Sequence, residues 1–246
     1  MITKAEIQLV KQLADKQARV AEGLFVAEGD KLVGEIVAGS GWTIRKLYLT
    51  EGSSIRSAQA VEVTAKEMER MSGLKSAPRS LALVEIPRRD VPQASEGELM
   101  LCLDEIQDPG NLGTIIRTAD WYGIRHIVCS PTTADCFAPK VVQATMGALL
   151  RVEVSYCDIV EWLGEAARRG VATYATTLDG ANIHSTPLTK GGVIVMGNEG
   201  KGVSPRVQSL VSRKLFIPPY PADRHGSESL NVAIATAITL ENFRSR

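Results

Sequence analysis

The chain has 246 residues, 44% hydrophobic and 23% charged, and its 28 basic and 28 acidic side chains cancel. That balance excludes a protein held on nucleic acid by bulk charge, and no apolar run of about 18 residues marks a membrane span. The opening MITKAEIQLVKQL lacks a secretory apolar core, and Cys102, Cys129, Cys136 and Cys157 never stand as C-x-x-C, so a soluble, cytoplasmic, metal-free protein without disulfides is expected.

In chain order, Thr3 and Glu6 have capping-box spacing and open a helix carrying Ile7, Val10 and Leu13. The short β-rich runs LFVAEGDKL, IRKLYLT, VEV and LALVEI follow, separated by helical stretches, one of them opened by a second box at Thr64 and Glu67. This predicts a compact α/β domain over residues 1–90. The apolar pattern then lapses in PRRDVPQASEGE, which places a linker near residues 88–97. Formal charge is +2 over residues 1–95 and −2 over the rest.

Residues 97–246 read as a second domain. LMLCLDEI, IRHIVCS, RVEVSY, VATYATTL, VIVMG and KLFIP alternate with helical segments, the pattern of a parallel sheet covered on both faces. Three of its strand ends carry unusual residues. The turn Gln107-Asp108-Pro109-Gly110 leads to Asn111, read as a helix N-cap, with Leu112, Ile115, Ile116 and Ala119 as the buried stripe and Arg117 off it. VIVMG runs into the glycine-rich Asn198-Glu199-Gly200-Lys201-Gly202, which is not a phosphate-cradling loop because Gly202 follows Lys201; Ser204 and Pro205 open the next helix. KLFIPPYPADRHGSESLN precedes the apolar VAIATAITLENF, with Ser229 and Asn231 at the helix mouth; His225 in the long loop is a general base or a solvated histidine, and His126 and His184 have no partner by spacing. All three clusters stand at the carboxyl ends of strands, where open α/β sheets bind ligands.

Together the clusters resemble the SpoU class of the SPOUT superfamily, the RNA ribose 2′-O-methyltransferases. DPGNLGTIIRTADWYG, VIVMGNEGKGVS and IPP…SLNVAIATAI match its three motifs in order, and the front domain resembles the RNA substrate-binding domain many members carry. The sequence departs from the pattern where Pro219, Tyr220 and Pro221 follow the Ile-Pro and the loop 218–228 is longer. The resemblance implies a deep trefoil knot from TTLDG through the last strand, wrapped around S-adenosylmethionine. It implies backbone contacts to that cofactor near Thr176, Gly197, Ile217 and Leu230, where a side chain at 197 would crowd the adenine. It further implies a homodimer and a ribosomal or transfer RNA substrate. Arg117, Asn111, Glu199, Ser229 and Asn231 are the implied catalytic set, with Asn111 and Glu199 holding the arginine. A guanidinium stays protonated at neutral pH, so Arg117 is read as a two-pronged phosphate clamp; a general-base role remains the alternative. Two further readings stand beside this one: a non-catalytic RNA-binding protein on the same fold, and a nucleotide-dependent small-molecule enzyme.

Overall fold

A computed structural model describes residues 2–39, 41–221 and 229–245. The chain forms two compact units, one of Met1–Arg88 with Asp135–Leu150, the other of Arg89–Ala134 with Arg151–Arg246.

In the first unit, α1 (Lys4–Gln12) opens on the Thr3–Glu6 capping box, with the Glu6 N–H donating to Thr3 Oγ1 at 3.2 Å and the Thr3 N–H donating to Glu6 Oε2 at 2.9 Å. Next come α2 (Lys16–Glu22), β1 (Leu24–Glu28), α3 (Asp30–Val37), β2 (Ile44–Thr50), β3 (Ala60–Val63), α4 (Ala65–Met71) and β4 (Ser80–Glu85). The sheet runs β1-β4-β2-β3, with β4 antiparallel to both neighbours and β3 parallel to β2. Ile7 and Val10 of α1 and its C-cap Leu13 bury with Val26, Tyr48, Met68 and Leu83, so the apolar periodicity of the sequence is the periodicity of the core.

The second unit begins with β5 (Leu99–Asp104), α5 (Pro109–Trp121) and β6 (His126–Cys129). The chain then leaves it for α6 (Pro139–Thr145) and the turn Ala148–Leu150, which pack in the first unit. It returns as β7 (Glu153–Tyr156), α7 (Ile159–Arg168), β8 (Thr173–Asn182), β9 (Gly192–Gly197), α8 (Pro205–Gln208), β10 (Arg213–Phe216) and α9 (Val232–Arg244). The six strands are all parallel, in the order β10-β8-β9-β5-β6-β7. β5 and β9 are buried along their whole length, as strands covered on both faces must be. The order reverses between them, which makes their carboxyl ends the switch-point crevice of the sheet. Helices α5 and α9 run side by side in the same direction. Asn231 meets Asn111 at their heads, and Arg244 Nε donates to the Tyr122 carbonyl at 3.0 Å at their tails.

The Pro-rich stretch near 88–97 carries no helix or strand but is packed: Trp162 Nε1 on α7 donates to the Pro92 carbonyl at 2.7 Å, and Ala94 is buried in the core of the second unit. The excursion Asp135–Leu150 is bound into the first unit by a buried cation. Arg19, 3% exposed, donates from Nε and Nη2 to Asp135 Oδ2 at 3.0 and 2.6 Å, and from Nη1 to the Leu13 and Ala14 carbonyls at 2.8 and 2.9 Å. The rings of Phe25, Trp42 and Phe137 pack against one another at centroid distances of 5.0 to 6.2 Å, which ties the excursion in a second time. Nothing in local propensity signals a pairing between residues 116 apart in sequence.

Removing the anion alone strands a buried guanidinium, which typically costs about 3–5 kcal/mol. Asp135→Ala should therefore lower the urea midpoint of the full chain strongly. Asp135→Asn, which keeps an acceptor, should lose less. Equal midpoints for Asp135→Ala and the parent would show that the pair contributes nothing.

Candidate active site at the carboxyl ends of β5 and β9

The turn after β5 is built around a proline. Pro109 takes the first helical position of α5, where its missing N–H costs nothing, and Asp108 before it is the N-cap, accepting the Asn111 N–H at 2.8 Å. Asn111 is therefore inside the first turn and not the cap, a correction that follows from the proline. Its side chain is left for longer-range contacts. Glu105, at φ 61°, holds the left-handed conformation that side chains rarely adopt, donates its N–H to Ser130 Oγ at 2.9 Å, and turns its carbonyl toward Asn198.

The loop after β9 is a closed hairpin. Asn198 and Gly202 exchange both backbone hydrogen bonds, at 3.0 and 2.9 Å, and Asn198 Oδ1 accepts the Gly200 and Lys201 N–H groups at 3.0 Å each. The loop folds so tightly onto the strand that a Cβ on Gly197 would lie 2.1 Å from Val203 N and 2.2 Å from Gly202 C. Glycine at 197 is thus already demanded by the loop's own backbone, whatever ligand stands near it.

Five contacts stitch this loop to the β5–α5 turn. Asp104, 4% exposed, accepts the Ser204 N–H at 2.7 Å, which holds the start of α8 where the Ser204 side chain makes no cap. Asn198 Nδ2 donates to the Glu105 carbonyl at 2.8 Å. Glu199 accepts the Gln107 N–H at 3.3 Å, the Asp108 N–H at 3.1 Å and Asn111 Nδ2 at 3.1 Å. The chain extends to the third cluster: Asn231 Nδ2 donates to Asn111 Oδ1 at 2.9 Å, while Asn231 Oδ1 caps α9 by accepting the Ala233 and Ile234 N–H groups. Partial burial pushes the Glu199 carboxyl upward; the donors Asn111, its own N–H, Asp108 and Gln107 outweigh that and hold its pKa below the ordinary glutamate value.

The structure therefore joins Asn111, Glu199 and Asn231 in one hydrogen-bond chain. Arg117 is not part of it. It lies six residues further along α5, about 9 Å in helical rise, exposed and without a hydrogen bond or ion pair among the described residues. Ser229 is exposed beside Leu230, which is 51% exposed. Thr176 Oγ1 donates to the Val195 carbonyl at 3.5 Å, and Ile217 is half-buried just after β10. Between Lys214 and Leu215 the β10–β8 register jumps from Ala175 to Ala181, so residues 176–180 swing out of the ladder and leave Leu178 69% exposed. His225 lies outside the described residues. Asp104, Glu105, Asp108 and Asn198 were not singled out by the sequence; the Asp before Pro109 was a readable cap signal, and the other three are visible only through contacts about 25 to 100 residues away.

Two outcomes follow. Gly197→Ala should destabilise the full chain by about 3 kcal/mol, because backbone has to move to admit the methyl; unchanged melting would refute the close approach. Because Glu199 has a folded-state pKa below its unfolded one, it contributes stability above the ordinary glutamate range that is lost as pH falls through the folded value. The stability gap between parent and Glu199→Gln should be widest near neutrality and narrow below about pH 4.5, the ordinary value, in urea titrations. A gap independent of pH would contradict the charged, donor-saturated carboxylate.

Comparison with known proteins agrees with this geometry. Residues 98–241 match the SpoU rRNA Methylase family, and residues 4–82 match the MRM3-like substrate binding domain. The 23S rRNA (guanosine(2553)-2′-O)-methyltransferase RlmP of Bacillus subtilis is 29% identical over 240 residues, covering 95% of this chain and 94% of its own. A TrmH-family structure from Porphyromonas gingivalis superposes with a TM-score of 0.89 at 37% identity, covering 100% of this chain and 99% of that one. The AdoMet-bound rRNA methyltransferase from Sinorhizobium meliloti does so with a TM-score of 0.85 at 28% identity, covering 100% and 96%. With the family's domain matching more than half of the chain, including all six strands of the parallel sheet, the chain belongs to the SpoU rRNA methylase family.

Proposed function

We propose that the protein transfers the methyl group of S-adenosylmethionine to a ribose 2′-hydroxyl of ribosomal RNA. The observation that carries this reading is the Asn231–Asn111–Glu199 chain, which draws all three motif segments to the switch point of the sheet. The relatives named for 2′-O-methylation of ribosomal RNA, and the front unit's match to a substrate binding domain, support the choice of substrate. In this reading backbone groups near Thr176, Gly197, Ile217 and Leu230 hold the cofactor, which supplies an electrophilic methyl on a cationic sulfur. A C–S bond breaks, an O–CH₃ bond forms, and the hydroxyl proton leaves to solvent.

The residues of the chain divide the remaining work. Asn111, Glu199 and Asn231 hold the strand ends at a fixed separation. Ser229 offers a hydroxyl to the ribose. Arg117, protonated and exposed, clamps the neighbouring phosphate with its planar fork and lowers the cost of charge developing on the hydroxyl oxygen. The family's trefoil knot belongs to this reading too. The close approach of Gly180 in β8 to β10, where a Cβ would lie 2.5 Å from Leu215 C, is consistent with the tight backbone packing such a knot needs. The homodimer belongs to it as well: Trp121, 85% exposed at the tail of α5, and Ile234, 52% exposed at the head of α9, leave apolar side chains bare towards both ends of the paired helices, which a second copy would cover. Sedimentation at a monomer mass independent of concentration would remove the dimer from the proposal.

Mapping of 2′-O-methylation in total RNA from cells with and without the gene should show one ribosomal site lost. Loss at a transfer RNA site instead would move the substrate, and RNA affinity without methyl transfer would leave a binding protein. Arg117→Lys keeps the charge but not the fork, and contacts of this kind are worth roughly 1.5–3 kcal/mol, so about one to two orders of magnitude in rate should go. Arg117→Ala should lose more, with cofactor affinity and melting near the parent's.

A further inference from the structure

The first unit carries a second place where carboxylates are consumed by loops. β1 and β2 both run antiparallel to β4, and β3 runs with β2, so the carboxyl ends of β1, β2 and β3 share one edge of the sheet with the start of β4. Asp30, at the head of α3 on that edge, accepts Ser80 Oγ at 2.6 Å, Ser53 Oγ at 3.5 Å, and both the N–H and the hydroxyl of Ser54 at 3.2 Å. Glu28, two residues earlier, accepts the Ser72 hydroxyl and the Gly73 N–H. These two anions pin the loops 51–59 and 72–79 against the strand ends.

With its carboxylates so engaged, the edge presents mainly cations. Lys31, Arg56, Lys75 and Arg79 are all exposed there, against Glu51 as the exposed acid of the same loops. Arg56 braces its loop through Nη1 to the Ser53 and Ile55 carbonyls, and Arg79 through Nη1 to the Gly52 carbonyl at 3.0 Å. One nitrogen anchors each fork while the exposed remainder offers donors in phosphate-matching geometry. Lys31 and Lys75 have no hydrogen bond or ion pair among the described residues. The adjoining opening turn of α4 is self-balanced by Lys66 and Glu67, and the loop 38–43 at the opposite edge carries no charged residue. Gly52, Ser53, Ser54, Ser72, Gly73 and Ser76 keep the loops low, so a bulky polyanion can approach the backbone.

We propose that this edge, through Lys31, Arg56, Lys75 and Arg79, is the surface on which the first unit receives the phosphate backbone of the RNA. The proposal rests on the RNA methyltransferase reading and adds where the substrate-binding unit makes contact. It requires several phosphate contacts from an electrically neutral chain, and these come from segregation: Glu28 and Asp30 are spent inward, while Lys31, Arg56, Lys75 and Arg79 face out beside the exposed Glu51 and Glu62. Recognition of this kind is sequence-tolerant and falls with salt.

The test uses the full chain and unmodified 23S ribosomal RNA transcribed in vitro, with binding measured over a series of KCl concentrations. The pair Lys31→Glu/Lys75→Glu should weaken binding by about ten-fold or more and reduce the salt slope by about one and a half to two contacts. S-adenosylmethionine affinity and melting should stay at the parent's values. Lys31→Gln/Lys75→Gln, a milder pair that guards against misfolding, should show a smaller loss in the same direction. A control pair on the first two helices, Lys11→Glu/Lys16→Glu, should lose clearly less. Equal losses for the control and edge pairs, or a parent-like slope in both edge pairs, overturn this surface while leaving the methyltransferase reading intact. A parent chain that binds no RNA overturns both.

Discussion

The second unit depends on what one carboxylate does with its lone pairs. A six-stranded parallel sheet puts the ends of β5 and β9 side by side, and each continues into a turn with backbone N–H groups that need acceptors. Glu199 reaches from one turn into the other and takes up two of those N–H groups and the Asn111 amide. It sits where the first turn of α5 presents positive partial charge, so an anion is favoured over a neutral amide. Asn111 and Asn231 are then oriented by what remains: Asn111 gives its NH₂ to Glu199 and its oxygen to Asn231, and Asn231 gives its oxygen to the head of α9. Replacing any member leaves the next with a mismatched donor or acceptor.

The first unit uses the same device with different residues. Asp30 does for the loops of the four-stranded sheet what Glu199 does for the switch point, and Arg19 does the inverse, a cation collecting Asp135 and two carbonyls to bind in a segment 116 residues further along the chain. In each case one long or well-placed ionic side chain substitutes for a ladder that irregular backbone cannot form. This is why formal charge informs so little about function here. The acids at the strand ends are internal ligands, and the potential a partner meets is set by the cations left outside.

What could be read from the sequence followed the range of the interaction. Every strand was legible, because β-branched runs such as VIVMG and LALVEI are buried locally, and so were the two capping boxes and the Asn231 cap. The Asn111 cap was misplaced by three residues, since the preference of proline for the first helical position outranks the capping preference of asparagine. That residues 135–150 of the second sequence domain pack into the first unit was not legible, because α6 has ordinary helical sequence and its anchors, the Arg19–Asp135 pair and the Phe25–Trp42–Phe137 cluster, are long-range. The requirement for glycine at 197 was legible, but its cause was not, because the colliding atoms belong to the loop's own return at Gly202 and Val203.

The same saturation constrains the chemistry. A general base needs a lone pair that is not already accepting a stronger donor in the resting site. Glu199 accepts three donors across the turn, the Asn111 oxygen accepts Asn231, and the Asn231 oxygen accepts two helix N–H groups, so this network holds geometry and has little capacity left to take a proton. Arg117, outside the network, can donate but not accept. For the proposed reaction these residues would act by placing the hydroxyl in line with the methyl and stabilising charge on its oxygen, with deprotonation completed toward water as the new bond forms. Methyl transfer from a sulfonium suits such a site, because the departing thioether is neutral and needs no acid from the protein. A stiff, donor-satisfied scaffold with one exposed guanidinium is then sufficient machinery, and the rate rests on how rigidly the ends of β5, β9 and the head of α9 are held together.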